Sequence, residues 1–356
     1  MYDLPKSMKA AVLYGEGDLR VTERPVPVPE GQEVLVKVDS CAICGTDPKI
    51  VAHGWPNHPP YGEFIPGHEF TGTIVKLGSR AFGWKLGDRV AVEPHKGCGI
   101  CENCIRGLYT TCLNYGDLEK GHRHYGFTAN GGYAEYAVNH INTLHRVPES
   151  ISLEAATLAT TAGTVIYGLE RAGWVRPSDF VVVSGPGPIG LMAVQVARAC
   201  GAGAVMLSGT REERLSIGRK VGASHTVNVR EQDLASEVTK LTDGKGADLV
   251  VECSGDPSAA AAAIDITKKS GRISFIGIYS QPVTLALNNL VQKNIQAAGG
   301  KAEGGWALER GMPLIANGSV LTEPLITHRF KLDDINEAMD TFARRLGGAI
   351  KVIVKP

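Results

Sequence analysis

Four of the eight cysteines lie within one short segment, at Cys98, Cys101, Cys104 and Cys112. Their spacing, C-x2-C-x2-C-x7-C, allows one loop to surround a single ion with four thiolates, which is typical of structural zinc. An iron–sulfur run would place its fourth cysteine sooner and follow it with proline, whereas Leu113 follows here. We therefore predict a structural zinc site, with a reduced cysteine cluster that binds nothing as the alternative.

A second set of metal ligands precedes this loop, with Cys44 in the motif CGTD and His68 and Glu69 in the motif GHE. Thiolate, imidazole and carboxylate groups all bind zinc, and a catalytic zinc keeps one coordination position open. Either motif alone is weak, because a single cysteine or histidine is more often structural. Together with the cysteine loop and a nucleotide-binding pattern, the two motifs predict a catalytic zinc site.

The nucleotide-binding pattern is Gly185-x-Gly187-x-x-Gly190, which lies between an apolar strand and an apolar helix. In this strand–turn–helix context the glycines predict a dinucleotide site. Gly185 allows the tight turn, Gly187 lets the pyrophosphate approach the backbone, and Gly190 packs the helix on the strand. The N-terminus of the helix offers free N–H groups to the phosphates. An ordinary glycine-rich turn is the alternative.

The end of the next strand indicates which dinucleotide binds. An NAD site usually has an acidic residue about 20 residues beyond the glycines, but Ser208, Gly209, Thr210 and Arg211 stand there, with Arg214 nearby. Small residues followed by arginine leave room and positive charge for a 2′-phosphate. This favours NADP over NAD. The alternative is that both arginines are solvated helix residues paired with Glu212 or Glu213.

The elements that position these residues change in character near Ser152. Before it, short β-like runs separated by turn residues indicate an irregular, mostly β domain. A helical pattern follows from Leu153 to Ala172, and strands then alternate with helices, which predicts a parallel sheet covered on both faces. The predicted strands are Phe180–Val183, Val205–Leu207, His225–Val229, Asp248–Val251 and Arg272–Ile276, and the predicted helices are Ile189–Cys200, Glu212–Val221, 231–242 and 257–268. The alternation breaks after about residue 295, and a helix at 333–345 and a strand at Ala349–Val354 are expected to return to the first domain.

Composition excludes several classes of function for this chain of 356 residues. Lys and Arg together number 37, as do Asp and Glu, so the net charge is zero, which argues against a nucleic-acid partner. No apolar run approaches the ~18 residues of a membrane span, and the N-terminal segment MYDLPKSMKA lacks the apolar stretch of a signal peptide. We expect a cytoplasmic protein that acts on a small molecule.

The motifs as a set resemble the zinc-dependent medium-chain dehydrogenase/reductase superfamily, which includes alcohol, sorbitol and threonine dehydrogenases. The resemblance covers essentially the whole chain, through CGTD, GHE, GDRV, the four-cysteine loop, GGYAEY, GPGPIG and VECSG in that order. It implies a GroES-like β-barrel domain at 1–155 and 295–356 and a Rossmann domain, a doubly wound parallel sheet, at 156–294. It also implies two zinc ions, one catalytic and one structural, and a homodimer or homotetramer joined through the Rossmann sheet edges.

The resemblance implies that Cys44 and His68 are ligands of the catalytic zinc. It implies that Glu69 is a third ligand or a close partner of the zinc. Two departures from the family pattern leave roles open. Thr161 occupies the approximate position of a further family ligand, and no proton-transferring histidine follows CGTD directly, so His53 and His95 are alternatives. The residues expected to bind the cofactor are Gly185, Gly187, Pro188, Ile189, Gly190, Ser208, Gly209, Thr210, Arg211, Arg214, Ser254, Ile276 and Ile278.

The implied reaction is hydride transfer from the carbinol carbon of a secondary alcohol to NAD(P). Zinc would lower the pKa of the alcohol, and Thr46 would accept its hydrogen bond and pass the proton outward. We expect a polyol or sugar-like substrate, with a threonine-type amino alcohol or a simple secondary alcohol as the alternative. A nucleotide-binding sensor or structural protein is the non-enzymatic alternative, and it is disfavoured because the zinc ligands are present. A zinc-free quinone or enoyl reductase is disfavoured because such relatives need neither metal motif.

Overall fold

The computed structural model describes residues 3–356. Met1 and Tyr2, the first residues of the segment searched for a signal peptide, lie outside the described part of the chain. Residue contacts divide the protein into two compact units. The β unit comprises Met1–Thr160 and Ile326–Pro356, and the α/β unit comprises Thr161–Leu325.

The β unit begins with a hairpin and continues with strands that are mostly buried. The strands before residue 160 are β1 (Ser7–Gly15), β2 (Asp18–Pro25), β3 (Glu33–Ala42), β4 (Glu69–Leu77), β5 (Arg89–Val92), β6 (His95–Lys96), β7 (Arg123–His124), β8 (Tyr136–His140) and β9 (Leu144–Arg146). Three short helices lie between or after them: α1 (Asp47–His53), α2 (Glu102–Ile105) and α3 (Leu153–Ala156).

Helix α4 (Leu158–Arg171) contains the first boundary between the units. The α/β unit continues with strands β10 (Phe180–Ser184), β11 (Ala204–Gly209), β12 (His225–Asn228), β13 (Ala247–Glu252), β14 (Thr267–Phe275) and β15 (Gln296–Gly299). Its other helices are α5 (Pro188–Ala199), α6 (Glu212–Lys220), α7 (Leu234–Leu241), α8 (Pro257–Ile266), α9 (Leu287–Gln292) and α10 (Ala307–Ala316).

The sheet of the α/β unit has the order β12-β11-β10-β13-β14-β15, and all its pairings are parallel. Its central strands are continuous apolar runs, because helices cover both faces of such a sheet. Val181, Val182 and Val183 of β10 are fully buried. The strand order reverses between β10 and β13, which is where dinucleotides bind in doubly wound folds. The predicted Rossmann architecture is confirmed.

The chain then returns to the β unit with β16 (Ile326–Lys331), α11 (Ile335–Arg344) and β17 (Lys351–Lys355). Strand β17 pairs with β3, so the C-terminal segment joins the same sheet as the N-terminal strands. The main sheet of this unit has the order β16-β17-β3-β4-β5-β9, and β8 also pairs with β3. The return predicted from the sequence therefore occurs.

The second boundary differs from the predicted one. The sequence placed it at residues 294/295, whereas the contacts place it at 325/326. The difference arises because β15 adds a sixth strand to the parallel sheet, by pairing with β14, before the chain leaves this unit. Helix α10 also belongs to the α/β unit.

Candidate active site

The structure brings Cys44, His68 and Glu69 together. One potential ligand atom from each residue lies within 4.8 Å of the others. His68 and Glu69 are buried, at 5% and 4% exposure, and Cys44 is half-buried. A soft thiolate, an imidazole nitrogen and a carboxylate oxygen at this separation form a donor set that suits zinc.

The register of two strands explains why these residues meet. Ala42, at the end of β3, pairs with Glu69, at the start of β4. Cys44 follows Ala42 by two residues, so it lies beside His68. The turn before His68 needs glycine, because Gly67 has a φ of +93° and a side-chain carbon there would lie 2.8 Å from the Tyr133 ring.

Asp47 lies beside His68, one of the predicted zinc ligands. Its carboxylate is completely buried; one oxygen accepts a hydrogen bond from the Cys44 backbone N–H at 2.7 Å, and the other lies 3.2 Å from His68 Nδ1. A carboxylate beside Nδ1 fixes the tautomer and leaves Nε2 for a metal. Burial alone lowers the pKa of His68, but the charges of Asp47 and Cys44 outweigh it and raise that pKa well above its ordinary value.

Lys351 is a buried partner of Glu69 that the sequence prediction missed. The two side chains form an ion pair, and both are at least nine-tenths buried. Burial lowers the pKa of Lys351, but the negative charges of Glu69 and Cys44 outweigh it and the pKa is raised. A lysine within the apolar strand sequence IKVIV is the only sequence signal for this contact. The cation compensates the carboxylate that faces the proposed metal position.

The four cysteines of the loop also converge, and their sulfur atoms all lie within 4.8 Å of one another. Cys98 and Cys104 have their sulfurs 3.9 Å apart, as do Cys101 and Cys112. An ideal tetrahedron with zinc–sulfur bonds of about 2.3 Å separates its sulfurs by about 3.8 Å. The spacing therefore fits one tetrahedral zinc ion.

Hydrogen bonds to the sulfur of Cys98 support the thiolate that a metal requires. The side-chain amide of Asn114 donates to it at 3.3 Å, and the backbone N–H of Cys101 donates at 3.4 Å. Burial raises the pKa of Cys98, but the donors of Ile100, Asn114 and Cys101 outweigh it and lower the pKa to about 6. The pKa of Cys101 is lowered too, by the backbone N–H of Cys104, whereas burial raises the pKa values of Cys104 and Cys112.

The other three candidates for metal binding or proton transfer differ from one another in their surroundings. His53 is exposed at the end of α1. His95 is buried, and its ring stacks on that of His124 with centroids 3.7 Å apart. Thr161 is buried in the α/β unit, and its hydroxyl has no hydrogen-bond partner among the described residues.

The glycine turn has the geometry of a phosphate-binding loop. Gly187 is the N-cap of α5, and a side-chain carbon at this position would meet no atom within 4 Å, so a ligand can approach the backbone. A side-chain carbon at Gly190 would overlap the carbonyl oxygen of Gly185. Pro188 and Ile189 begin the helix, and free N–H groups at a helix N-terminus can bind a phosphate.

The residues expected at the adenosine end follow β11. Ser208 is buried, Gly209 ends the strand, Thr210 is exposed, and Arg211 is the N-cap of α6. Glu212, the acidic residue considered as a partner for Arg211, forms an ion pair with Arg219. Arg214 lies in the first turn of α6. Ser254 follows β13, and Ile276 and Ile278 follow β14, at the carboxyl edge of the same sheet.

Comparisons with known proteins agree with both units. Residues 30–149 match the GroES-like domain of alcohol dehydrogenases, and residues 188–302 match the zinc-binding dehydrogenase family. Sorbitol dehydrogenase of Halalkalibacterium halodurans is 33% identical over 98% of this chain and 99% of its own. L-threonine 3-dehydrogenase of Pyrococcus horikoshii is 34% identical over 98% of both. The crystal structure of a zinc-binding dehydrogenase from Sinorhizobium meliloti 1021 bound to NADP has a TM-score of 0.90 and 26% identity, covering 99% of this chain and 100% of that one.

The chain therefore belongs to the zinc-dependent medium-chain dehydrogenase superfamily. This confirms the resemblance inferred from the motifs. The enzyme class expected from it, a zinc-dependent oxidoreductase that acts on alcohols, is confirmed as well. Among residues 3–356, no helix combines the length and apolar character needed to cross a membrane.

Proposed function

We propose that this protein oxidises a secondary alcohol group of a polyol or sugar-like molecule with NADP as hydride acceptor and zinc as metal. The observation that carries the proposal is the convergence of Cys44, His68 and Glu69 within 4.8 Å of one another. These are two buried side chains and one half-buried cysteine, with the charge of Glu69 compensated by Lys351, in a chain that also has the dinucleotide fold.

In this proposal Cys44, His68 and Glu69 hold the catalytic zinc, which supplies Lewis-acid polarisation of the alcohol when bound. Asp47 keeps His68 in the tautomer that presents Nε2. The hydroxyl of Thr46, 3.9 Å from the Cys44 sulfur, accepts the hydrogen bond of the substrate alcohol and passes its proton outward. Cys98, Cys101, Cys104 and Cys112 hold the structural zinc.

The proposed cofactor residues line the carboxyl edge of the parallel sheet. The turn at Gly185–Gly190 takes the pyrophosphate, and Ser208–Arg211 together with Arg214 take the adenosine ribose. Arg211 is the residue we assign to the 2′-phosphate, because Glu212 has another partner. One solved relative is bound to NADP and another of the same identity to NADH, so this choice rests on Arg211. The nicotinamide carries the hydride chemistry, and Ser254, Ile276 and Ile278 take its end of the cofactor.

The substrate class rests on the relatives and on the zinc ligands together. A sorbitol dehydrogenase among the relatives supports a polyol. An L-threonine 3-dehydrogenase of almost equal identity supports the amino-alcohol alternative. Both substrates present a secondary hydroxyl to the metal, so a direct assay must distinguish them.

The test is formation of NADPH or NADH with a panel of polyols, simple secondary alcohols and amino alcohols, with and without a zinc chelator. We expect turnover of polyols that chelation abolishes and zinc restores, with NADP preferred. Turnover of amino alcohols alone would establish the alternative substrate. If NADP binds but no alcohol is oxidised by the zinc-loaded protein, the dinucleotide serves a sensor or structural role instead.

We also propose that the protein is a cytoplasmic homo-oligomer, either a dimer or a tetramer. Its eight cysteines are all free, which suits a reducing compartment. Strand β15 is the edge of the parallel sheet, and its backbone edge is open to a second copy. Leu287 and Val291, in the helix leading into this strand, are 61% and 73% exposed. Apolar exposure of this kind marks a contact surface.

A further inference from the structure

A completely buried carboxylate lies at the carboxyl end of the α/β sheet, outside the residues assigned above. Glu252 is the last residue of β13 and has no exposed surface. Ser254 donates two hydrogen bonds to Oε1, one from its backbone N–H at 2.7 Å and one from its hydroxyl. The N–H of Gly255 donates to Oε2 at 3.3 Å, and the hydroxyl of Tyr279 donates to the same oxygen.

These four donors are all electrically neutral. An ionised carboxylate only accepts hydrogen bonds, and a set of two backbone N–H groups and two hydroxyls supports that charged form. No cation stands among them, so they stabilise the negative charge without cancelling it. Glu252 therefore differs from Glu69, whose charge Lys351 compensates.

Glu252 also joins the loop after β13 to the loop after β14. Its carbonyl oxygen accepts hydrogen bonds from the N–H groups of Ile276 and Gly277, both at 2.9 Å. A side-chain carbon at Gly277 would lie 2.5 Å from the Gly255 nitrogen, so the loops are in direct contact. The residue after Glu252, Cys253, donates its N–H to Ser184 at 2.9 Å, just before the glycine turn.

The strand order of the sheet indicates which half of the cofactor lies near Glu252. The glycine turn follows β10, and the adenosine residues follow β11 on one side of it. A dinucleotide spans the carboxyl edge at this switch point, so its nicotinamide half extends over the ends of β13 and β14. The oxidised nicotinamide ring carries a positive charge, and the reduced ring is neutral.

We propose that the negative charge of Glu252 favours binding of the oxidised over the reduced cofactor. The inference rests on the proposed nicotinamide cofactor. A fixed charge acts on the difference between the two oxidation states, whereas a purely structural residue would change the affinity for both alike. Glu252 touches no substrate in this scheme and acts through the field at the ring.

The test is the ratio of dissociation constants, Kd(NADP+)/Kd(NADPH), measured by fluorescence or calorimetric titration without substrate. Glu252→Gln removes the charge and retains the shape, and we expect the ratio to rise by about three- to tenfold, the size of a single-charge change near a protein surface. Tyr279→Lys tests the charge by a second route, because Tyr279 is only half-buried and a lysine there would compensate an intact Glu252. It should raise the ratio in the same direction.

Two controls separate charge from structure. Tyr279→Phe removes a neutral donor and leaves the charge, so the ratio should stay within about twofold of wild type, because a neutral donor screens little of a full charge. Asp265→Asn removes a carboxylate from the exposed far end of α8 and should leave the ratio unchanged. An unchanged ratio in Glu252→Gln, with both cofactor forms still bound, overturns the inference alone, whatever Tyr279→Lys does. A wild-type protein that binds neither form overturns the proposed cofactor as well.

Discussion

At the scale of single residues, the ion pair of Glu69 and Lys351 should influence how Glu69 binds the proposed zinc. We expect Lys351→Met to lower the free energy of unfolding of the zinc-free protein by about 3–5 kcal/mol, because it leaves a buried carboxylate without its cation. Zinc would then supply the missing positive charge. The rise in Tm on adding zinc should therefore be larger in Lys351→Met than in wild type.

Thermal unfolding with and without zinc measures this effect. Lys351→Arg is the matched control, since it retains the cation, and its zinc-dependent rise in Tm should resemble that of wild type. An equal rise in wild type and Lys351→Met would mean that Lys351 and the metal do not share Glu69 as a partner.

A second residue-scale prediction concerns the choice of cofactor. Arg211→Ala should raise KM for NADP by about 10- to 100-fold, the range for losing a hydrogen bond to a charged group, and leave KM for NAD nearly unchanged. Steady-state kinetics with both cofactors tests this. Lys220→Ala is the control on the same helix, because Lys220 is exposed in its last turn. Equal increases for NADP and NAD would remove the phosphate role from Arg211.

The sequence predicted the convergence of Cys44, His68 and Glu69 because their residue types and motifs identify them directly. It did not predict Lys351, which lies 282 positions from Glu69 in the chain. That contact depends on β17 pairing with β3 and on β3 pairing with β4. Asp47 was visible within CGTD, but its contact with His68 follows from the same strand register. Partners fixed by register between distant strands leave no local pattern.

At the scale of elements, the cysteine loop should depend on its metal. The loop contains only short helical turns, α2 and Tyr109–Thr111, so a tetrahedral zinc would supply most of its order. We expect Cys112→Ser to lower the zinc content from two ions per chain to one and to expose the loop to limited proteolysis. Cys200→Ser, outside both metal-binding groups, is the control and should retain both ions.

Elemental analysis and the proteolytic fragment pattern provide the readouts for the cysteine loop. Cleavage is expected between residues 98 and 112 in the variant and not in zinc-loaded wild type. Full zinc content in Cys112→Ser would show that this cysteine is not a ligand and that the loop is ordered by packing alone.

The sequence patterns did not predict the helix and strand that follow residue 295. Helix α10 buries Ala307, Leu308, Gly311, Met312 and Ile315, which is a regular helical face. Gly311 and the internal Pro313 hide this period, because glycine and proline normally interrupt helices. Strand β15 reads QAAG and lacks the β-branched residues that mark strands. The predicted boundary came too early for these two reasons, while the strongly apolar β10 and α5 were predicted almost to the residue.

At the scale of the whole molecule, the edge strand β15 and the exposed apolar side chains before it predict self-association. A two-fold axis at this edge would extend the parallel sheet into a second copy and cover the edge. Light scattering coupled to size-exclusion chromatography should give a mass that is twice or four times the 37.8 kDa of one chain.

Adding charge with Leu287→Lys and Val291→Lys together should shift the protein toward the single-chain mass, because lysine ammonium groups would be desolvated at the contact. Val229→Lys, at an exposed valine beyond β12 on the opposite sheet edge, should leave the mass unchanged. A wild-type mass of one chain, or an oligomer that survives both lysines, would exclude this edge as the interface.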